Sequence, residues 1–449
     1  MDSRKSVHNP FASRNWRRMN VTTSNIAVWN TQKTVELSGH RRHRHAGSAV
    51  ASEFEAPRPA SHISFGPIAL AAAIARTSTL LSATPELISR LRDSALIDAE
   101  ILIANGPTFA LSPYIGSLAD TERTFFAAKV GAGIADLYMN ALGYVWRDNA
   151  ICLGPSLKPH ADFLYAGGNV SGHGVVLAEA HGSFATGVSD GKVAAQAERK
   201  YLRQVRPYIA KPSPHGYVIH GYSLAFGSRP GTPGAFLRLS ETLLPTSHRG
   251  PPGRPKPPGE PGSSPPTQIA LSSHRSNFVL MDAMAVAEWI DWTRGARDLP
   301  THKDPIPFLR LEYAGRSFLA SADALLPIHH HLNWWSDLIE FAPWRRRLLR
   351  PRYHGTPPLL RWFVIEENAG EQFLNALSGM IRAGPERIPE TLDLPSGDFI
   401  GLSTDDDAAG RDGPAYDYAL FRDGLALLGD PPPRRVTGLR IWHPNDGVK

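Results

Sequence analysis

Residues Val175 to His181 (VVLAEAH) form a β-branched, apolar run that reads as a buried strand, and a carboxylate sits inside it. Side chains alternate along a strand, so Glu179 and His181 share one face while Ala178 and Ala180 take the other. Upstream, the apolar residues Ala161, Phe163, Leu164 and Tyr165 surround Asp162, and a Gly-rich turn from Gly167 to Gly174 joins the two runs into a hairpin. The hairpin places Asp162 on the neighbouring strand, able to face Glu179. A carboxylate in so apolar a run is costly unless it is paired or binds a cation. Taken singly, Asp162 reads as a turn cap and Glu179 as the partner of an arginine. Two acids aimed at one point read as oxygen ligands of a divalent metal.

The flanks give an order of elements. Ala119 to Leu142 has helical apolar spacing and stops at Gly143, and Tyr144-Val145-Trp146 reads as strand. After the hairpin, Ser189 to Arg206 reads as a helix with Ser189 as N-cap, and Tyr217 to Phe226 as a strand. The sum is α-β-β-β-α-β.

In that order and in its acids, the stretch from about residue 119 to 228 resembles the PD-(D/E)XK nuclease family. Pro159 to Asp162 stands for the family's Pro-Asp with two residues inserted, and Glu179-Ala180-His181 for its Glu-x-Lys, with histidine where the family has lysine. The resemblance implies an α/β fold with a restriction-endonuclease-like αβββαβ core, and a magnesium or manganese ion held by Asp162, Glu179 and the carbonyl of Ala180. Asp136 on the first helix would join them, since Ala132 leaves the more usual position without an acid. His181 would orient or deprotonate the attacking water, and Lys200 or Lys192, on the following helix, would supply the absent lysine's charge. Gln204 and Tyr208 match a Gln-x-x-x-Tyr element of one branch, although Pro207 interrupts a helix there. The implied activity is hydrolysis of DNA phosphodiester bonds.

Composition sets bounds on the rest. The chain of 449 residues has room for two or three domains, and its formal charge of +6 with a pI near 9.4 favours an anionic partner such as DNA. A single cysteine, Cys152, excludes an intramolecular disulfide and a cysteine metal cage, which suits a reducing cytoplasm. The longest apolar stretch near the N-terminus, Ile68 to Ala75, is far short of the ~20 residues of a membrane span, and the basic first residues are followed by no signal-like segment.

Residues 1–60 read as a disordered basic arm, in which His40-Arg41-Arg42-His43-Arg44-His45 forms either a phosphate grip or a solvated tail. A helical extension is expected over 61–110, the nuclease-like core over 111–244, a Pro/Gly-rich linker over 245–266 and a mixed α/β region over 267–449. In the last region, Gln268 to Leu271 and Asn277 to Leu280 read as strand or strand-to-helix, and Asp282 to Trp292 as helix. Phe308 to Leu319 reads as a hairpin turning at Ala314-Gly315, Leu360 to Ile365 as a strand and Gly370 to Ala383 as a helix. His329-His330-His331 reads as a polar turn and Asp405-Asp406-Asp407 as a solvated loop. Trp344 to Arg347, with Arg350, Arg352 and Arg361, suits nucleic acid or an exposed helix end.

Two other functions fit the same residues. A nuclease fold without catalysis would serve as a nucleic-acid-binding module. Alternatively, His160, Asp162, Glu179 and His181, with His173 from the turn, would form a transition-metal hydrolase site.

Overall fold

A computed structural model describes residues 29, 31–45, 54, 56–78, 85–153, 158–167, 174–243, 264–300, 303–322, 362–404, 418–429 and 436–449. The first half runs β1 (Lys33–Arg44), β2 (His62–Phe65), α1 (Pro67–Ser78), α2 (Pro85–Leu102), α3 (Asp120–Ala141), β3 (Arg147–Asn149), β4 (Phe163–Ala166) and β5 (Gly174–Ser183). It continues with α4 (Asp190–Lys200), β6 (Pro212–Ser213), β7 (Gly216–Ser228) and β8 (Ala235–Leu243). The second half runs α5 (Thr267–Leu280), α6 (Met284–Thr293), β9 (Ile306–Tyr313), β10 (Arg316–Ser321), β11 (Trp362–Glu366) and α7 (Glu367–Ala383). The short strands β12 (Leu402–Ser403), β13 (Tyr418–Leu420), β14 (Leu425–Leu428), β15 (Val436–His443) and β16 (Gly447–Val448) close the chain.

Two sheets result. The first has the order β12-β2-β1-β8-β7-β5-β4-β3 with β6 beside β7, and the second the order β13-β14-β11-β10-β9-β15-β16. Strands β3, β4 and β5 pair antiparallel, and α4 then carries the chain across to β7, which pairs parallel with β5. The protein is therefore mixed α/β, and α3-β3-β4-β5-α4-β7 follows the order expected from the sequence, apart from the two-residue β6. Strand β3 begins at Arg147, just after the expected Tyr144 to Trp146.

Helix α3 lies directly on β5 because both carry glycine at the crossing. A Cβ on Gly131 would stand 2.5 Å from the backbone nitrogen of Gly182, and one on Gly182 would overlap the carbonyl of Ala127. The obstacles are backbone atoms, which cannot swing aside. Gly131→Ala is thus expected to lower unfolding free energy by at least about 1–3 kcal/mol, the usual range for overpacking. Urea denaturation showing a variant equal to the parent would contradict this contact.

Three expectations need correction. Residues 33–44 are not part of a disordered arm: β1 pairs antiparallel with β2 and parallel with β8. Its charges find partners across strands. His40 Nε2 and Arg42 Nε reach Glu241 Oε1 at 2.8 and 3.0 Å, and Arg41 pairs with Glu198. Burial alone would raise the Glu241 carboxyl, but His220, 3.7 Å away, and His40, 2.8 Å away, outweigh it and hold it at about 2.

Residues 268–271 and 277–280, read as strand or strand-to-helix, both belong to the single helix α5, buried along nearly its whole length. Nor does residue 266 separate two cores, since one apolar cluster takes in Phe65, Leu177, Phe278 and Trp442. Helix α1, apolar on all sides from Ile68 to Ala75, is buried on all sides and contacts α2, α3, α5, β13 and β14. The β9–β10 hairpin turns at Ala314 (φ 49) and Gly315 (φ 77), the two positive-φ residues of a tight hairpin turn. Most of the Pro/Gly-rich linker, the three-histidine tract, the Trp344 to Arg361 cluster and Asp405 to Asp407 lie outside the described residues.

Candidate active site

The β4–β5 register pairs Phe163 with Ala178, so one residue further Asp162 comes opposite Glu179. Directly opposed residues of an antiparallel pair share a face. Asp162 Oδ2 accepts a 2.9 Å hydrogen bond from the Ala180 N–H, which fixes this acid beside β5. The parallel pairing of β5 with β7 sets Ser223 abreast of Glu179, and β8 adds Ser240 opposite Ser223. A row of four oxygen-bearing side chains therefore crosses the sheet. The serines were not singled out in the sequence, where they look like ordinary members of apolar strands.

Helix α4 packs against β7 and β8 on this same face. Lys200 Nζ donates to Glu179 Oε1 at 2.8 Å. Past Lys200 the helix loosens into a π-turn over Tyr201–Val205 and a tight turn over Arg206–Tyr208, which accommodates Pro207. Gln204 is thereby placed to donate to the His160 carbonyl at 2.8 Å and to Glu179 Oε2 at 3.2 Å, while Tyr208 donates to the Pro159 carbonyl at 2.9 Å. The Gln-x-x-x-Tyr element thus ties the segment before β4 to the acid on β5, despite the proline.

The electrostatics follow from this enclosure. Burial, reinforced by the Asp162 charge, pushes the Glu179 carboxyl up to about 8 against the pull of Lys200. Burial also raises Asp162, opposed by the Ala180 N–H and Lys200. His181 is lowered to about 4 by burial and by the charges of Lys200 and Arg199, so at neutral pH it is an uncharged imidazole.

Two candidates lie elsewhere. Asp136 is fully buried on α3 and is not brought to the pair. Its Oδ1 accepts from Tyr165 Oη at 3.2 Å and lies 3.5 Å from Arg147, and its Oδ2 lies 3.6 Å from Arg76. Tyr165 is three residues from Asp162 on an alternating strand and so points to the opposite face, the α3 side. Lys192 is exposed and donates to the Gly187 carbonyl at 2.8 Å. His160 turns Nδ1 toward the carbonyl of Ala161, and His173 lies outside the described residues.

No family model, curated protein or solved structure matches the chain. The site is therefore judged on its own chemistry. Among the described residues no three His, Cys, Asp or Glu side chains form a metal-holding group. The acid pair would suit a hard cation through a different set: two facing carboxylates, with burial and then the Asp162 charge keeping a proton on Glu179 near neutrality, a place a divalent ion would fill.

Proposed function

We propose that this chain is a metal-dependent nuclease that hydrolyses DNA phosphodiester bonds. The observation that carries the reading is the enclosed Asp162–Glu179 pair with Lys200 against it. Asp162 and Glu179, with the Ala180 backbone between them, would hold Mg²⁺ or Mn²⁺, which when bound supplies a polarised water and neutralises phosphoryl charge. Lys200 brings an ammonium to the acids from the helix, taking over the charge that a lysine at position 181 would bring. His181, uncharged at neutral pH, is too weak a base to hold a proton there and instead orients the attacking water by hydrogen bonding. Gln204 keeps Glu179 and the His160 carbonyl in register with each other.

The test is a panel of single-stranded and duplex DNA incubated in Mg²⁺ or Mn²⁺, with Glu179→Ala beside the parent. Cleavage by the parent and none by the variant is the expected result. Equal cleavage by both removes these acids from the chemistry. Salt-sensitive binding with no cleavage in any divalent ion would leave a nucleic-acid-binding module in place of an enzyme.

A further inference from the structure

We infer that the outer face of α4 and the turn after it forms the track along which a DNA strand's phosphate backbone reaches the Asp162–Glu179 pair. The choice of ligand rests on the nuclease reading; the surface itself rests on charge. Residues 189–211 carry six lysines and arginines against two carboxylates, Asp190 and Glu198. Both acids are already neutralised from the sheet, Asp190 by Arg238 and Glu198 by Arg41. Of the cations in this stretch, Lys200 is held by Glu179, and three arginines are left over. The Arg203 and Arg206 side chains are exposed and make no hydrogen bond or ion pair with a described residue, and among those residues the Arg199 side chain beside them bonds only the amide oxygen of Gln196.

Their positions trace a line rather than a scatter. Arg199 lies in the last turn of α4, Arg203 in the π-turn that follows and Arg206 at the start of the tight turn, and all three are exposed. At one side His43 of β1 stacks on the Tyr201 ring and Arg41 pairs with Glu198, and at the other Lys200 Nζ reaches Glu179 Oε1 at 2.8 Å. The row therefore begins beside β1 and ends at the acids. Ala195, Glu198, Arg199, Leu202 and Arg203 line an open depression of ≈ 450 Å³ along it. Guanidinium groups grip phosphate oxygens in pairs, and a row of them spaced along a helix suits a linear polyanion better than a compact one.

The experiment measures binding of a labelled oligonucleotide to the full chain by fluorescence anisotropy, in EDTA so that nothing is cut, across a series of salt concentrations. The parent is compared with the triple variant Arg199→Gln, Arg203→Gln, Arg206→Gln, and thermal melting checks that the exposed substitutions leave the fold intact. Loss of three phosphate contacts is expected to lower the slope of log affinity against log salt by about 2–3 and to weaken binding at low salt by at least about tenfold. An unchanged slope and affinity, or a parent that binds no DNA, overturns the track. A parent that binds through these arginines yet cuts nothing in Mg²⁺ or Mn²⁺ keeps the track and rejects the nuclease. A parent that cuts while the triple variant binds as well as it does rejects the track alone.

Discussion

Glu179→Gln is expected to abolish cleavage and, in metal-free buffer, to make the protein more stable, increasingly so from pH 5 to pH 8. Loss of catalysis should be about 10³-fold or more, since a metal ion's charge stabilisation amounts to several kcal/mol and about 1.4 kcal/mol is a factor of ten. The gain in stability comes from the proton. The carboxyl titrates near 4.5 when unfolded and at about 8 when folded. Between those values the unfolded chain releases a proton that the folded chain keeps, so the stability tied to Glu179 is complete below about 4.5 and falls as pH rises toward 8. At pH 8 the loss is on the order of 4 kcal/mol. Glutamine resembles the protonated acid in shape and has nothing to ionise, so the variant escapes the loss. It also keeps acceptor and donor groups for Lys200 and Asp162. Urea denaturation at pH 5 and pH 8 reads the effect directly. Parallel pH profiles for parent and variant would mean that Glu179 does not titrate in this range. A divalent ion bound between the acids replaces the proton, so added Mn²⁺ should narrow the gap at pH 8 by stabilising the parent alone.

The acid pair was legible in the sequence because everything that creates it is local. Strand β5 announces itself by its β-branched residues, a hairpin of short span brings Asp162 across, and period-two alternation assigns the faces. Asp136 was misplaced for the complementary reason. Helical spacing shows that α3 has a buried side, but not which face of the sheet that side covers, and the answer depends on Gly131 meeting Gly182. Strand β1 was missed because its partner β8 lies about two hundred residues away in sequence and its outward residues are basic. Their carboxylate partners, Glu241 and Glu198, are invisible from the segment itself. Helix α5 was ambiguous because the middle of its buried surface is polar. Ser273, Arg275 and Asn277 are all buried and bond to the Arg147 carbonyl, Asp291 and Asp423 respectively, so no hydrophobic period marks the helix. Long-range polar pairing, unlike apolar patterning, leaves no signature in either segment alone.

That same pairing makes Asp423→Ala the largest stability loss expected from a single side chain outside the site. Arg76, on a helix otherwise apolar, is fully buried with its guanidinium over the Phe421 ring at 3.9 Å. Its Nη2 donates to Asp423 Oδ2 at 2.9 Å, and its Nε lies 3.6 Å from Asp136. Asn277 donates to the same Asp423 oxygen at 3.0 Å, and the Leu425 N–H to the other at 3.3 Å. Asp423 precedes β14 of the second sheet, whereas Arg147 lies on β3 of the first and Asp136 on α3, which packs over that sheet. Among the described residues Arg147 forms an ion pair with Asp136, at 3.5 Å, and burial pushes its own pKa down against the pull of that charge. Removing the Asp423 carboxylate would strip the buried Arg76 guanidinium of the carboxylate it bonds at 2.9 Å, and breaking a buried pair in this way costs about 3–5 kcal/mol. Asp423→Asn keeps one acceptor oxygen, for either Leu425 or Asn277, and should recover part of the loss. Because the cluster spans both sheets, the parent should unfold in one urea transition, while Asp423→Ala should begin to uncouple them, broadening or splitting it. A variant within about 1 kcal/mol of the parent, with one equally sharp transition, would show that the apolar core alone joins the two sheets and that the arginine cluster contributes little to holding them.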